Sequence, residues 1–81
     1  MSFKKIISRK KYVYGLLDYS GKEYQIIFAS PMCMLVDDNI SWESKGYLSH
    51  IALVGDMVGD IDMPDYITQE LIDAGYLVEV K

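Results

Sequence analysis

Apolar and polar positions alternate most regularly between Lys11 and Ser30. There "KYVYGLLDYSGKEYQIIFAS" sets two runs rich in Tyr, Val, Ile, Leu and Phe on either side of Ser20-Gly21. This pattern predicts a β-hairpin with a two-residue turn in which Gly21 takes positive φ, pairing residues whose numbers sum to 41. In that register Val13, Leu17 and Tyr19 join Tyr24, Ile26 and Phe28 on the core face. Tyr12, Tyr14, Leu16 and Asp18 join Glu23, Gln25, Ile27 and Ala29 on the other. The second face is only half polar, which predicts a cover for it, either the helix or another subunit.

Pro31 ends the second strand because it has no N–H to donate to a ladder. "MCMLV" then reads as a short third strand stopped by Asp37, Asp38 and Asn39, and "NISWESKG" as a loop. The β-formers of "YLSHIALV" predict a strand from about Tyr47 to Val54, interrupted afterwards by Gly55 and Gly59. "DMPDYITQELIDAG" has the grammar of a helix. Asp62 is placed to cap it, Pro64 is tolerated in its first turn, and Asp65 complements its dipole. Ile67, Leu71 and Ala74 form one stripe and Gly75 supplies the stop. "YLVEV" returns as a final strand. The expected fold class is α+β, a small mostly antiparallel sheet of four to five strands with one C-terminal helix packed on it, in the order β-β-(β)-β-α-β.

The 81 residues amount to one domain with a thin stability margin. No apolar run approaches the length of a bilayer span, and "MSFKKIISRKK" lacks the apolar stretch of a signal peptide. A single cysteine rules out an internal disulfide and fits a reducing compartment, so a cytoplasmic location is expected. Cys33, among apolar neighbours, reads as buried and inert.

Charge is distributed unevenly. Residues 1–36 carry six basic side chains against two acidic ones, a net of +4, while residues 37–81 carry ten acids against two lysines, a net of −8. Four aspartates, Asp56, Asp60, Asp62 and Asp65, fall within ten positions. They do not form a calcium loop: the alternating ligand after Asp62 would be Pro64, and the twelfth position counted from Asp60 is Leu71 rather than glutamate. No P-loop or G-x-G-x-x-G cradles a phosphate. Cys33 and His50 lack the spacing of a zinc site and the companions of a nucleophilic pair. No cofactor, metal or catalytic constellation is therefore expected. The aspartates read as helix-capping groups and a solvated acidic loop, or as an acidic patch facing a partner.

Two further features concern partners. Trp42 lies in a polar stretch, where a tryptophan either folds back as a lid on the core or is presented to a partner as a binding hot spot. Seven tyrosines and "RKKYVY" are the mixture that stacks on single-stranded nucleic acid, but a pI of about 4.7 argues against direct nucleic-acid binding. The favoured expectation is a non-enzymatic protein-binding domain, a stoichiometric inhibitor or regulator resembling immunity proteins, antitoxins and viral anti-defence proteins in size and charge. Its expected partner-facing residues are Trp42, Asp56, Asp60, Asp62 and Asp65. The competing expectation is an oligomeric small-ligand binder. It would hold a nucleotide-like molecule through Arg9, Lys10, Lys11, Tyr12 and Tyr14.

Overall fold

The computed structural model of the chain describes residues 2–54 and 60–80. Among these residues lie five strands and three helices: β1 (Ser2–Lys10), β2 (Val13–Asp18), β3 (Glu23–Ile27), α1 (Pro31–Leu35), α2 (Trp42–Val54), β4 (Ile61–Asp62), α3 (Asp65–Asp73) and β5 (Leu77–Glu79). The strands form one antiparallel sheet in the order β4-β1-β2-β3-β5. The class is α+β, as the residue pattern predicts. The expected C-terminal helix and final strand are α3 and β5.

The hairpin is present with its register moved by one residue. Tyr14 faces Ile26, Leu16 faces Tyr24 and Leu17 faces Glu23, so paired numbers sum to 40. The cause is the loop. The Asp18 N–H donates to the Lys22 carbonyl at 3.0 Å, leaving Tyr19, Ser20 and Gly21 as a three-residue connection with Gly21 at φ 91°. The Asp18 carboxylate fixes this loop by accepting from the Ser20 N–H (2.9 Å), the Ser20 hydroxyl (2.7 Å) and the Lys22 N–H (2.8 Å). A shift of one residue turns a strand over. Tyr14 and Leu16 are therefore buried with Tyr24, Ile26 and Phe28, while Val13 and Leu17 lie on the outer face and Tyr19 is exposed.

Three expectations on chain segments are corrected. "MCMLV" is not a strand: it lies within and just beyond α1, started by Ser30, whose hydroxyl accepts the Cys33 N–H at 3.1 Å, with Pro31 in the first turn. Only Met34 of this short helix is buried, and Cys33 is exposed rather than buried. The segment from Tyr47 to Val54 is not a strand but the body of α2, which begins at Trp42 inside the presumed loop. Leu48 and Ile51, both fully buried, and half-buried Ala52 give it a helical inner stripe. The N-terminal segment, for which no strand was expected, forms the longest strand among the described residues. A bulge between Phe3 and Lys5 lets Phe3 and Ile6, three residues apart, both point into the core.

All three helices cover one face of the sheet. Phe3, Ile6, Leu16 and Ile26 from the strands meet Met34, Leu48, Ile51, Ile67 and Leu71 from the helices, with Met63 between them. Phe3 packs edge-on against Tyr24, with ring centroids 5.5 Å apart. α3 ends as expected at Gly75 (φ 86°). There the Gly75 N–H reaches the Ile72 carbonyl and the Tyr76 N–H the Leu71 carbonyl, closing a Schellman motif that turns the chain into β5. Its start differs from expectation. Asp62 does not cap it, because Asp62 belongs to β4, where it accepts the Ser2 hydroxyl at 2.8 Å. Pro64 stands at the cap position without a side-chain bond.

Candidate functional site

α2 presents two stripes. The inner one packs on the sheet. The second, made of Glu43, Gly46, Tyr47 and His50 at helical spacing, faces β4 and forms with Asp60, Ile61 and Asp62 a groove of about 460 Å³. Ile61 is buried and Tyr47 half-buried, so one wall is apolar. The remaining lining is dominated by the three carboxylates.

Each carboxylate engages a hydroxyl. Glu43 accepts the Tyr66 hydroxyl at 2.8 Å on both oxygens, Asp62 accepts that of Ser2, and Asp60 meets that of Tyr19. These anions push both phenols above their ordinary pKa: for Tyr66 the Glu43 hydrogen bond is the leading cause, and for Tyr19 the Asp60 hydrogen bond. Among the described residues no cation pairs with Glu43, Asp60 or Asp62. Nor do three His, Cys, Asp or Glu side chains there converge in a way that would hold a metal ion.

Trp42, the first residue of α2, is 74% exposed and is no lid on the core. Its ring instead carries the Lys45 ammonium 4.3 Å from its centroid, while Lys45 itself is only 4% exposed. The Tyr76 hydroxyl (2.5 Å) first, then hydrogen bonds from Asn39 and last the Lys45 charge, hold the Asp37 carboxyl below its usual range. Burial first, and the bond to Asp37 second, push the Tyr76 phenol up to about 12.

The predicted partner-facing residues are thus placed unequally. Asp60 and Asp62 share the groove. Trp42 adjoins it through Glu43, and Asp65 opens α3 beside Tyr66, whose hydroxyl is bonded to Glu43. Asp56, with Gly55 and Gly59, lies outside the described residues. Glu43, Gly46 and Tyr47 escaped the sequence reading as site residues, and His50 entered it only beside Cys33. Their spacing of three, four and seven is a helical signal hidden once the segment is taken for loop and strand.

The proposed ligand-binding residues sit around the β1–β2 hairpin on different faces. Arg9 lies over Gly15 on the outer face, where its guanidinium donates to Glu23 at 3.0 Å. Tyr14 is buried on the inner face, its ring 6.1 Å from that of Phe28. Tyr12 forms part of the tip at φ 64°, stacked on Phe28 at 5.4 Å, with the Lys11 ammonium 5.3 Å from its own ring. A wider cleft of about 650 Å³ runs along α3 past Tyr66, Gln69, Glu70 and Asp73. Its Glu70 carboxylate is engaged by Ser41 and Ser44.

Among the described residues no helix is long and apolar enough to cross a membrane. Comparison with protein-family models, curated proteins and solved structures found no match to this chain.

Proposed function

We propose that this protein is a non-enzymatic protein-binding domain, a stoichiometric inhibitor or regulator of a protein partner, acting through the surface that begins at Trp42. The observation that carries this reading is the tryptophan itself. A large ring left 74% exposed at the start of a helix, and steadied by Lys45 at 4.3 Å, is an ordered anchor with little left to lose in side-chain freedom on binding. Next to it in the chain, Glu43 lines a groove with Asp60 and Asp62, in the half of the chain with a net charge of −8. These carboxylates favour a partner with a basic surface and a fast, salt-sensitive encounter. The reading places the protein in the cytoplasm and gives it no direct contact with nucleic acid.

The test is light scattering on a size-exclusion column, after the protein has been passed over a lysate of its native host. One discrete complex of fixed stoichiometry is expected, weakened by salt and lost in Trp42→Ala but kept in Leu53→Ala, a control at another exposed apolar side chain of α2. No complex, or a complex indifferent to Trp42→Ala, would remove the reading.

A further inference from the structure

We infer that the groove between α2 and β4 receives a lysine or arginine side chain from a basic segment of the protein partner. This rests on the protein-binding reading above and adds the chemistry of what is bound. It stands on shape, on an unexplained glycine and on charge.

The shape suits a long side chain with a charged end. Tyr47 and Ile61 offer apolar lining for a methylene stem, and Glu43, Asp60 and Asp62 line the same groove as acceptors for a charged head.

Gly46 is the second observation. Glycine weakens a helix interior, yet here no crowding requires it, since a Cβ at this position would find nothing within 4 Å. Positive φ does not require it either, for that conformation belongs to Gly21 and Gly75. What the missing side chain does provide is an open groove beside bare helix backbone.

Charge chooses the occupant. The three carboxylates accept only neutral hydroxyls, so their negative charge is uncompensated among the described residues. An anionic ligand is repelled there. A divalent ion lacks a converged set of three ligands among the same residues. A guanidinium or ammonium with a flexible stem reaches the carboxylates one at a time and satisfies them by charge-assisted hydrogen bonds.

The full chain, labelled with nitrogen-15, is titrated with a hexa-arginine peptide and followed by amide chemical shifts. Shifts are expected to concentrate at Glu43, Gly46, Tyr47, His50 and residues 60–62, and to fade as salt is added. Gly46→Leu, whose side chain enters open space, should leave the rest of the spectrum in place and weaken peptide binding about tenfold by occupying the groove. Gly46→Ala is the smaller plug, giving a weaker effect in the same direction.

Shifts spread evenly over Asp38, Asp73 and Glu79, or a Gly46→Leu protein that binds as well as wild type, would overturn the inference. So would the same shifts produced by magnesium or calcium with no response to the peptide. The two readings fail separately. A partner captured through Trp42 as tightly by Gly46→Leu as by wild type overturns the groove alone. A peptide seated in the groove of a protein that forms no Trp42-dependent complex overturns the function proposed above.

Discussion

The Glu70 carboxylate of α3 lies 2.6 Å from the backbone nitrogen of Ser41 and caps a helix to which it does not belong. The same oxygen accepts the Ser44 hydroxyl at 2.6 Å, while the Ser41 hydroxyl accepts the Ser44 N–H at 3.2 Å. In an ordinary capping box the returning carboxylate comes from the third residue of the same helix. Here that residue is Ser44, too short to reach back, and Glu70 supplies the acceptor from 29 residues away. The start of α2 is therefore a tertiary feature. Ser41→Ala should cost about 1 kcal/mol, a fall in melting temperature of about 4–8 °C. Glu70→Ala should destabilise more than Glu70→Gln, whose amide oxygen can still accept. Thermal unfolding followed by circular dichroism checks both.

Acid should destabilise this protein by protonating carboxylates that the fold holds below their usual range, Asp18, Asp37 and Glu70 among them. Ser20 holds the Asp18 carboxyl below its usual range, Tyr76 does the same for Asp37, and Ser44 for Glu70. A carboxyl whose folded pKa is depressed adds stability above its ordinary value near 4, and loses it as pH falls through the lower folded value. Denaturant midpoints should hold steady near neutrality and drop below about pH 4, and Glu70→Gln should flatten that drop. The Tyr76 phenol has the opposite profile. Raised to about 12, it adds stability that is present below its ordinary value near 10 and lost as pH climbs from there. Tyr76→Phe should remove this alkaline component.

Two glycine substitutions should have opposite signs. Gly75→Ala forces a side chain into the left-handed conformation that ends α3 at φ 86°, at a cost of about 1–2 kcal/mol. Gly46→Ala meets open space in the interior of α2 and should stabilise by up to about 1 kcal/mol. A more stable protein that binds its partner less well would be the signature of a residue kept for function.

The helical reading of "YLSHIALV" can be checked along α2 itself. Leu48 is fully buried, and Leu48→Ala should cost about 2–5 kcal/mol, a large share of the total of about 4–12 kcal/mol expected for a chain this long. Trp42→Ala should cost under about 1 kcal/mol, chiefly the contact with Lys45. Equal and severe losses at both positions would contradict the orientation of this helix.

What was legible in the residues, and what was not, follows from where the physical signal lies. α3 and its stop could be read because local rules and burial agree there: Ile67 and Leu71 are buried, and Gly75 adopts the conformation only glycine takes easily. α2 could not, because its buried side includes Ser44 at 0% and Lys45 at 4% exposure while Trp42 and Leu53 face outward, so hydrophobicity does not trace its inner stripe. Ser30-Pro31 was a legible helix start at α1, outweighed by the apolar run after it. The hairpin existed in the sequence, but its register hung on the Asp18 carboxylate binding the loop, a preference that Ser20-Gly21 alone does not reveal. At the groove, Asp60 and Asp62 were visible as acids. Their companions on α2 were not, since a stripe has no meaning until the helix is known.

The sheet order has a consequence for how the chain acquires its shape. β1, β2 and β3 are consecutive and neighbouring, so residues 2–27 can pair as soon as they are made. The two flanks of that meander are closed by much later residues: Ile61–Asp62 along β1 and Leu77–Glu79 along β3. During synthesis the nascent three-stranded sheet carries open, unpaired borders until residues 61–62 and 77–79 have emerged. β5 thus acts as an edge guard for β3. Removing β5 should leave a protein that begins to fold and then joins its neighbours along β3.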